Sequence, residues 1–267
     1  MKKNLLIRRT IFTASVVIAL FLSGCGAKQA DKPETAASLL EKMAEAVESA
    51  GSAEAEIHCS GKLERTALPA TAFDFELTEQ LDFKQFRSWY TGSGGLQNNG
   101  IEMDLPMEAV LEKNGSPPML YLKLMDIWAK QTFPLISLDA NSGFSRSLTE
   151  KATLQEEPEI IQDISVRALS IDICAKDLAA AMPSDAVKID GEPFASSELP
   201  FLLLKVWISE DTFLPIREKA TLLNSLSTDG SVLTQLSFQR DYTAFGKEIS
   251  VPFPEEAFEA IWIDDLY

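Results

Sequence analysis

FDFELTEQLDF, residues 73–83, alternates apolar and polar side chains with a period of two. Phe73, Phe75, Leu77, Leu81 and Phe83 face one way; Asp74, Glu76, Thr78, Gln80 and Asp82 face the other. A period of two is the mark of a strand with one buried and one wet face, the usual state of an antiparallel sheet. The pattern returns in IEMDLPMEAVLEKNG, residues 101–115, where Ile101, Met103, Leu105, Met107 and Leu111 share one side and Asn114-Gly115 signals a turn. Further strands are expected at Glu54–Glu64, Met119–Thr132, Ile160–Ile173, Phe201–Ser209, Leu214–Leu226 and Val232–Thr243.

Helical periodicity is confined to a few places. In SLLEKMAEAVESAG, residues 38–51, Leu39, Leu40, Met43 and Val47 form one stripe. Ser38 with Glu41 makes a capping-box pattern, Thr35 is an alternative cap one turn earlier, and Gly51 suits the stop. A short helix is expected at Lys176–Met182, ended by Pro183, and another turn at Glu255–Ala260. One long helix and short ones cannot cover the apolar face of eight or more strands. The sheet must therefore curl on itself, pair with a second sheet, or keep a concave apolar surface for a ligand. The expected fold class is α+β, mostly β; a curved antiparallel half-barrel, with a long N-terminal helix and short helices covering the concave face, fits this order of elements, and a two-sheet sandwich stays open as the alternative.

The start of the chain has a different logic. Lys2, Lys3, Arg8 and Arg9 precede the apolar run IFTASVVIALFL, Ile11 to Leu22. That run is shorter than the roughly 20 residues a spanning helix needs, and it has the basic-then-apolar layout of a secretory signal. It ends on LSGC, Leu22 to Cys25, which resembles the bacterial lipobox, whose cysteine thiol is acylated and becomes the mature N-terminus. The expected organisation is a signal peptide at 1–24, a lipidated N-terminus and tether at 25–36, and one domain at 37–267. Two or three acyl chains, at about 0.8 kcal/mol per buried CH₂, make a stable anchor.

Charge narrows the partners. Taking the four basic residues of the leader from 24 Lys and Arg, against 40 Asp and Glu, leaves the mature chain at −20. Such a body disfavours nucleic acid and an anionic bilayer surface, so attachment to the membrane falls to the lipid on Cys25. Cys59 and Cys174 are expected to be free thiols, with one disulfide as the extracytoplasmic alternative.

Sites for chemistry are scarce. The mature chain has one histidine, His58, on the polar side of its strand. G-x-S-x-G, S-x-x-K, C-x-x-C and Walker motifs are missing from the sequence. TGSGG, residues 91–95, reads as a flexible turn, because Gln97 stands where a dinucleotide fingerprint needs glycine. Asp139, Asn141 and Glu150 sit at calcium-loop positions, but Phe144 occupies the place of the bend glycine. No catalytic pair, metal or cofactor is expected.

Four blocks carry a family resemblance: ASLLEKMAEAVESAGSAEAEIHCSG (37–61), MLYLKLMDIWAKQ (119–131), VWISEDTFLPIREKATL (206–222) and YTAFGKEISVPFPEEAFEA (242–260). With the lipobox ahead of them, they resemble bacterial lipoproteins of the LolA/LppX-like superfamily. The resemblance implies a curved sheet around an apolar cavity with helices as a lid, the binding of lipid acyl chains, and no shared catalytic residues. The stretch at 132–159 has no counterpart in that pattern and reads as a lid-like excursion. The expected pocket lining is Leu39, Leu40, Met43 and Val47 of the helix with Phe73, Phe75, Leu77, Leu81, Phe83, Met103, Leu105, Met107, Leu122, Leu124, Trp128, Leu203 and Trp207. The expected function is a lipid-anchored, non-catalytic binder of an acyl chain. The alternative is a cell-envelope scaffold whose core is filled by its own side chains and which meets a protein partner.

Overall fold

The computed structural model describes residues 35–65, 68–113, 118–124, 126–132, 151–174, 188–190, 192–193, 197–228, 231–251 and 253–262. The leader, Cys25 and the tether, the Asn114-Gly115 turn, the calcium-like loop and the expected helix at Lys176–Met182 lie outside these residues.

The chain enters through helix α1, Ala36–Ala50. Thr35 is its cap: Ser38 N–H donates to Thr35 Oγ1 at 3.1 Å, and Thr35 N–H donates back to Ser38 Oγ at 3.0 Å. The helix stops at Gly51, whose φ of 72° is left-handed and costs a glycine nothing. Leu39 and Ala44 are its buried residues. No described helix is long and apolar enough to cross a membrane.

Among the described residues sixteen strands follow: β1 Ser52–Arg65, β2 Leu68–Asp82, β3 Arg87–Asn98, β4 Ile101–Glu112, β5 Met119–Leu124, β6 Ile127–Thr132, β7 Thr153–Leu154, β8 Glu159–Ile161 and β9 Ile164–Cys174, then β10 Lys188–Ile189, β11 Glu192–Pro193, β12 Pro200–Ser209, β13 Pro215–Leu222, β14 Leu226–Thr228, β15 Ser231–Phe245 and β16 Ile261–Trp262. The sheet runs β16-β6-β5-β4-β3-β2-β1-β15-β13-β12-β9-β7. Its main neighbours are antiparallel; β16 alone lies parallel to β6 among the described pairs. The last long strand, β15, returns beside β1 in mid-sheet, while β16 lies at the far edge beside β6.

Several readings from the sequence change here: Thr35 caps the helix in place of Ser38 with Glu41, and Leu214–Leu226 breaks after Leu222 into β13 and the start of β14. Met119–Thr132 is a hairpin, β5 and β6, and not one strand. Ile160–Ile173 likewise breaks at Gln162 and Asp163, both at positive φ, into β8 and β9. TGSGG lies inside β3, paired along its length with β2 and β4.

The sheet does not close, yet one face is dry. A continuous apolar cluster joins Leu39 of α1 to residues of β1 through β5, β9, β12, β13 and β15, with Ile189 of β10. Twelve strands spaced about 4.8 Å apart would, if flat, leave this face to water apart from the part that α1 covers. Curvature brings its residues together, and this is the concave side. Two smaller clusters lie on the opposite, convex side. Val110 and Trp128 pack there against Ala257 and Ala260 beside the 3-10 turn Glu255–Glu259; Val166, Ala168, Trp207 and Ile216 form the other.

Candidate ligand-binding face

The concave face gathers much of the expected lining. Leu39, Phe73, Leu77 and Leu122 are buried in its cluster, and Leu40, Met43, Phe75 and Met107 pack against it. Leu81 is buried in an adjoining cluster with Ala53, Ala55 and Tyr242, with Phe83 at its margin. Val47 is half-buried on α1. The side chain of Leu124 lies outside the described residues.

Five residues stand elsewhere, each for a definable reason. One continuous strand over Met119–Thr132 would give Trp128 the phase of Leu122. The β5–β6 hairpin instead pairs it with Lys123, so it faces outward into the Val110 cluster. Trp207 also points outward, where its Nε1–H donates to Glu159 Oε2 at 2.9 Å and Lys205 Nζ lies 4.5 Å over its ring. Those bonds hold the Glu159 carboxyl below its ordinary range. Leu203 alternates with Leu202 and Leu204, which point inward, and pairs with Asp172 and Thr221 on the wet side. Met103 and Leu105 have the concave phase but are 49% and 36% exposed, because β5 covers β4 only over Glu108–Glu112.

Two glycines shape the concave floor. A Cβ at Gly94 of β3 would collide with the Phe75 ring, and one at Gly61 of β1 would collide with the ring of Phe73. The two rings, with centroids 6.1 Å apart, thus lie down on neighbouring strands where side chains would otherwise stand. Phe73 is buried; Phe75 is half-buried, as are Leu96 and Met107 beside it. This sector, between β2 and β4, is one of the places where the apolar cluster reaches the surface.

A charged group shares the face. Glu79 has the same phase as Leu77 and Leu81, a clue in the 73–83 stretch that an apolar reading passes over. It is fully buried, with Oε2 2.8 Å from Arg240 Nε. Arg240 Nη1 also donates to Glu218 Oε2 at 2.9 Å, and Tyr242 donates to Glu218 Oε1 at 3.1 Å. Ala55, between Glu79 on β2 and Tyr242 on β15, leaves the room in which Arg240 crosses β1. Tyr90 of β3 sets its hydroxyl beside Glu79 and Ser88, short of an aligned hydrogen bond. Burial pushes Glu218 up to about 7, against the pull of Arg240 and Tyr242. Burial likewise brings Lys113, just past β4, down to about 7, with Glu79 and Glu218 opposing and Arg240 assisting.

The convex face is wet across its middle. A depression of about 590 Å³ there is lined mainly by polar or small residues, among them Ser60, Asp74, Gln97, Glu102, Thr221 and Ser237. His58 stands on this side, its Nδ1 3.5 Å from Asp74 and both side chains well exposed. Cys59, one residue on, faces inward. Cys59 and Cys174 are both free, and burial raises the Cys59 thiol to about 12. Among the described residues no group of three or more His, Cys, Asp or Glu is placed to hold a metal ion.

Solved structures similar to this chain include two that span most of it. One is LprF from Mycobacterium bovis, at 13% identity and a TM-score of 0.40, covering 82% of this chain and 96% of that one. The other is a LolA superfamily protein from Nitrosomonas europaea, at 14% identity and a TM-score of 0.23, with the same coverage. No protein-family model and no curated protein sequence matches the chain.

Proposed function

We propose that this protein is a membrane-anchored, extracytoplasmic lipoprotein whose concave face binds an acyl chain without catalysing a reaction. Cys25 carries the anchor; the ligand enters at Phe73, Phe75, Leu96 and Met107. The observation that supports this reading is the pair of rings resting on glycine. Rings lying flat over backbone, with one only half-buried, fill space that a slender apolar chain fills equally well once they swing aside. Each CH₂ so buried contributes about 0.8 kcal/mol, so a fatty-acid-length chain needs no charged partner.

A second reading has its own support. The concave cluster is packed with the protein's own side chains, and the depression described above lies on the polar side. That arrangement favours a scaffold with a self-filled core. A fluorescent fatty acid titrated into the mature domain separates the two. Saturable binding that is lost in Phe75→Asp, with circular dichroism unchanged, supports the acyl-chain reading, because an unpaired charge in an apolar site is costly. No binding to the parent domain leaves the scaffold.

A further inference from the structure

The far half of β4 has a neighbour on one side only. β3 pairs with it along its whole length, from Arg87↔Glu112 to Asn98↔Ile101, whereas β5 pairs with it only at Glu108–Glu112. Among the described residues no strand lies against the outer edge of 101–107, and each of residues 101–106 is exposed. An uncovered edge presents a row of backbone donors and acceptors, a template for another chain. The two sides of this edge differ. Ile101, Met103 and Leu105, at 66%, 49% and 36% exposure, stand on one side; Glu102 and Asp104 stand on the other. Glu108, next on the acidic side, is held by Lys123 at 2.9 Å. Glu102 and Asp104 carry no ion pair among the described residues.

Charge decides the occupant. Two copies paired antiparallel about Met103 would set Glu102 of each against Asp104 of the other, and like charges directly opposite are destabilising. A bilayer surface of anionic lipid is disfavoured for the same reason. Pro106 has no N–H to donate, so the ladder ends before it. That leaves residues 101–105, about 17 Å of strand at roughly 3.4 Å per residue.

We propose that residues 101–105 of β4 receive an extended peptide by strand addition, and that this peptide alternates apolar with basic side chains. Backbone hydrogen bonds to the open edge supply the pairing. The apolar set covers Ile101, Met103 and Leu105, and the basic set meets Glu102 and Asp104, giving register and sign selectivity. The acyl-chain site among Phe73, Phe75, Leu96 and Met107 is not involved, and this inference does not depend on it.

The test uses the full-length protein in nanodiscs of phosphatidylcholine, a lipid without net charge, and a fluorescein-labelled ten-residue peptide alternating valine and lysine. Fluorescence anisotropy should show saturable binding that weakens at least tenfold in the double variant Glu102→Lys, Asp104→Lys. That variant should instead bind a peptide alternating valine and glutamate. Methylating the backbone nitrogens along one edge of the valine–lysine peptide should abolish binding, because side-chain charges remain while the ladder is lost. Both substituted residues are exposed, and an unchanged melting temperature verifies the fold. Absence of binding overturns the proposal. So does a methylated peptide that binds as well as its parent, which would mean charge attraction alone, or a double variant that binds the lysine peptide unchanged. Sedimentation showing a dimer that dissociates in Met103→Lys would assign the edge to a second copy and overturn it as well.

Discussion

Arg240 holds two carboxylates, Glu79 and Glu218, where no solvent shares the charge. Removing one partner of such a group strands the others, typically at a cost of about 3–5 kcal/mol. The titration of Glu218 gives the cluster a pH signature. Its carboxyl sits near 7 in the folded chain against 4.5 ordinarily, so its stabilisation is complete below 4.5 and is lost as pH rises towards 7. Lys113 sits near 7 against 10.5; its stabilisation is complete above 10.5 and is lost as pH falls towards 7. Both limbs descend to a minimum near neutrality. Urea unfolding across pH should show the acid limb flattened in Glu218→Gln and the alkaline limb flattened in Lys113→Met. At about 1.4 kcal/mol per pKa unit the acid limb amounts to about 3–4 kcal/mol. Identical slopes in parent and Glu218→Gln would mean that the carboxyl is not desolvated.

Strand β3 shows how an element can be disguised. Its TGSGG run carries the composition of a turn, yet it pairs on both sides. Gly94 is small because the Phe75 ring occupies the place of its side chain; Gly95 points outward, and a Cβ there meets only the Glu102 carboxylate at 3.8 Å. Gly94→Ala should therefore cost about 1–3 kcal/mol by overpacking, while Gly95→Ala should be near neutral by thermal melting. Adding Phe75→Ala should recover part of the Gly94→Ala loss, a coupling of at least about 0.5 kcal/mol. The Asp74 carbonyl, 2.5 Å from that Cβ position, prevents full recovery. Helix α1 is more legible. Thr35, three residues before Ser38 and sixteen before Gly51, sets its bounds by local hydrogen bonds alone.

For the whole molecule the leader and the body answer different questions. The anchoring proposed above makes Cys25 the acyl acceptor, so Cys25→Ala should leave an unprocessed precursor that takes up no labelled palmitate in cells. Labelling equal to the parent would sink the anchor. On the same proposal the body carries a net charge of −20, which disfavours an anionic bilayer surface and leaves attachment to the lipid. Among the described residues the edge strands β16 and β7 do not pair with each other, so the sheet stays open, and residues 101–106 of β4 are exposed.

Alternation, a local property, determined by itself that the chain is β-rich and antiparallel, that one helix precedes the sheet, and that Phe73, Leu77 and Leu122 turn inward. It could not carry phase through a turn. The hairpin between β5 and β6 reversed the phase of Trp128, and the unbroken apolar run from Phe201 to Leu204 concealed that of Leu203 and Trp207. Exposure was also beyond it, since Met103 and Leu105 alternate correctly and are wet because β5 is short. Only the tertiary structure brought Glu79, Glu218 and Arg240 together, residues up to 161 positions apart in the chain. Their meeting depends on strand order, with β15 returning beside β1, and strand order is settled by long-range packing that no window of local sequence contains.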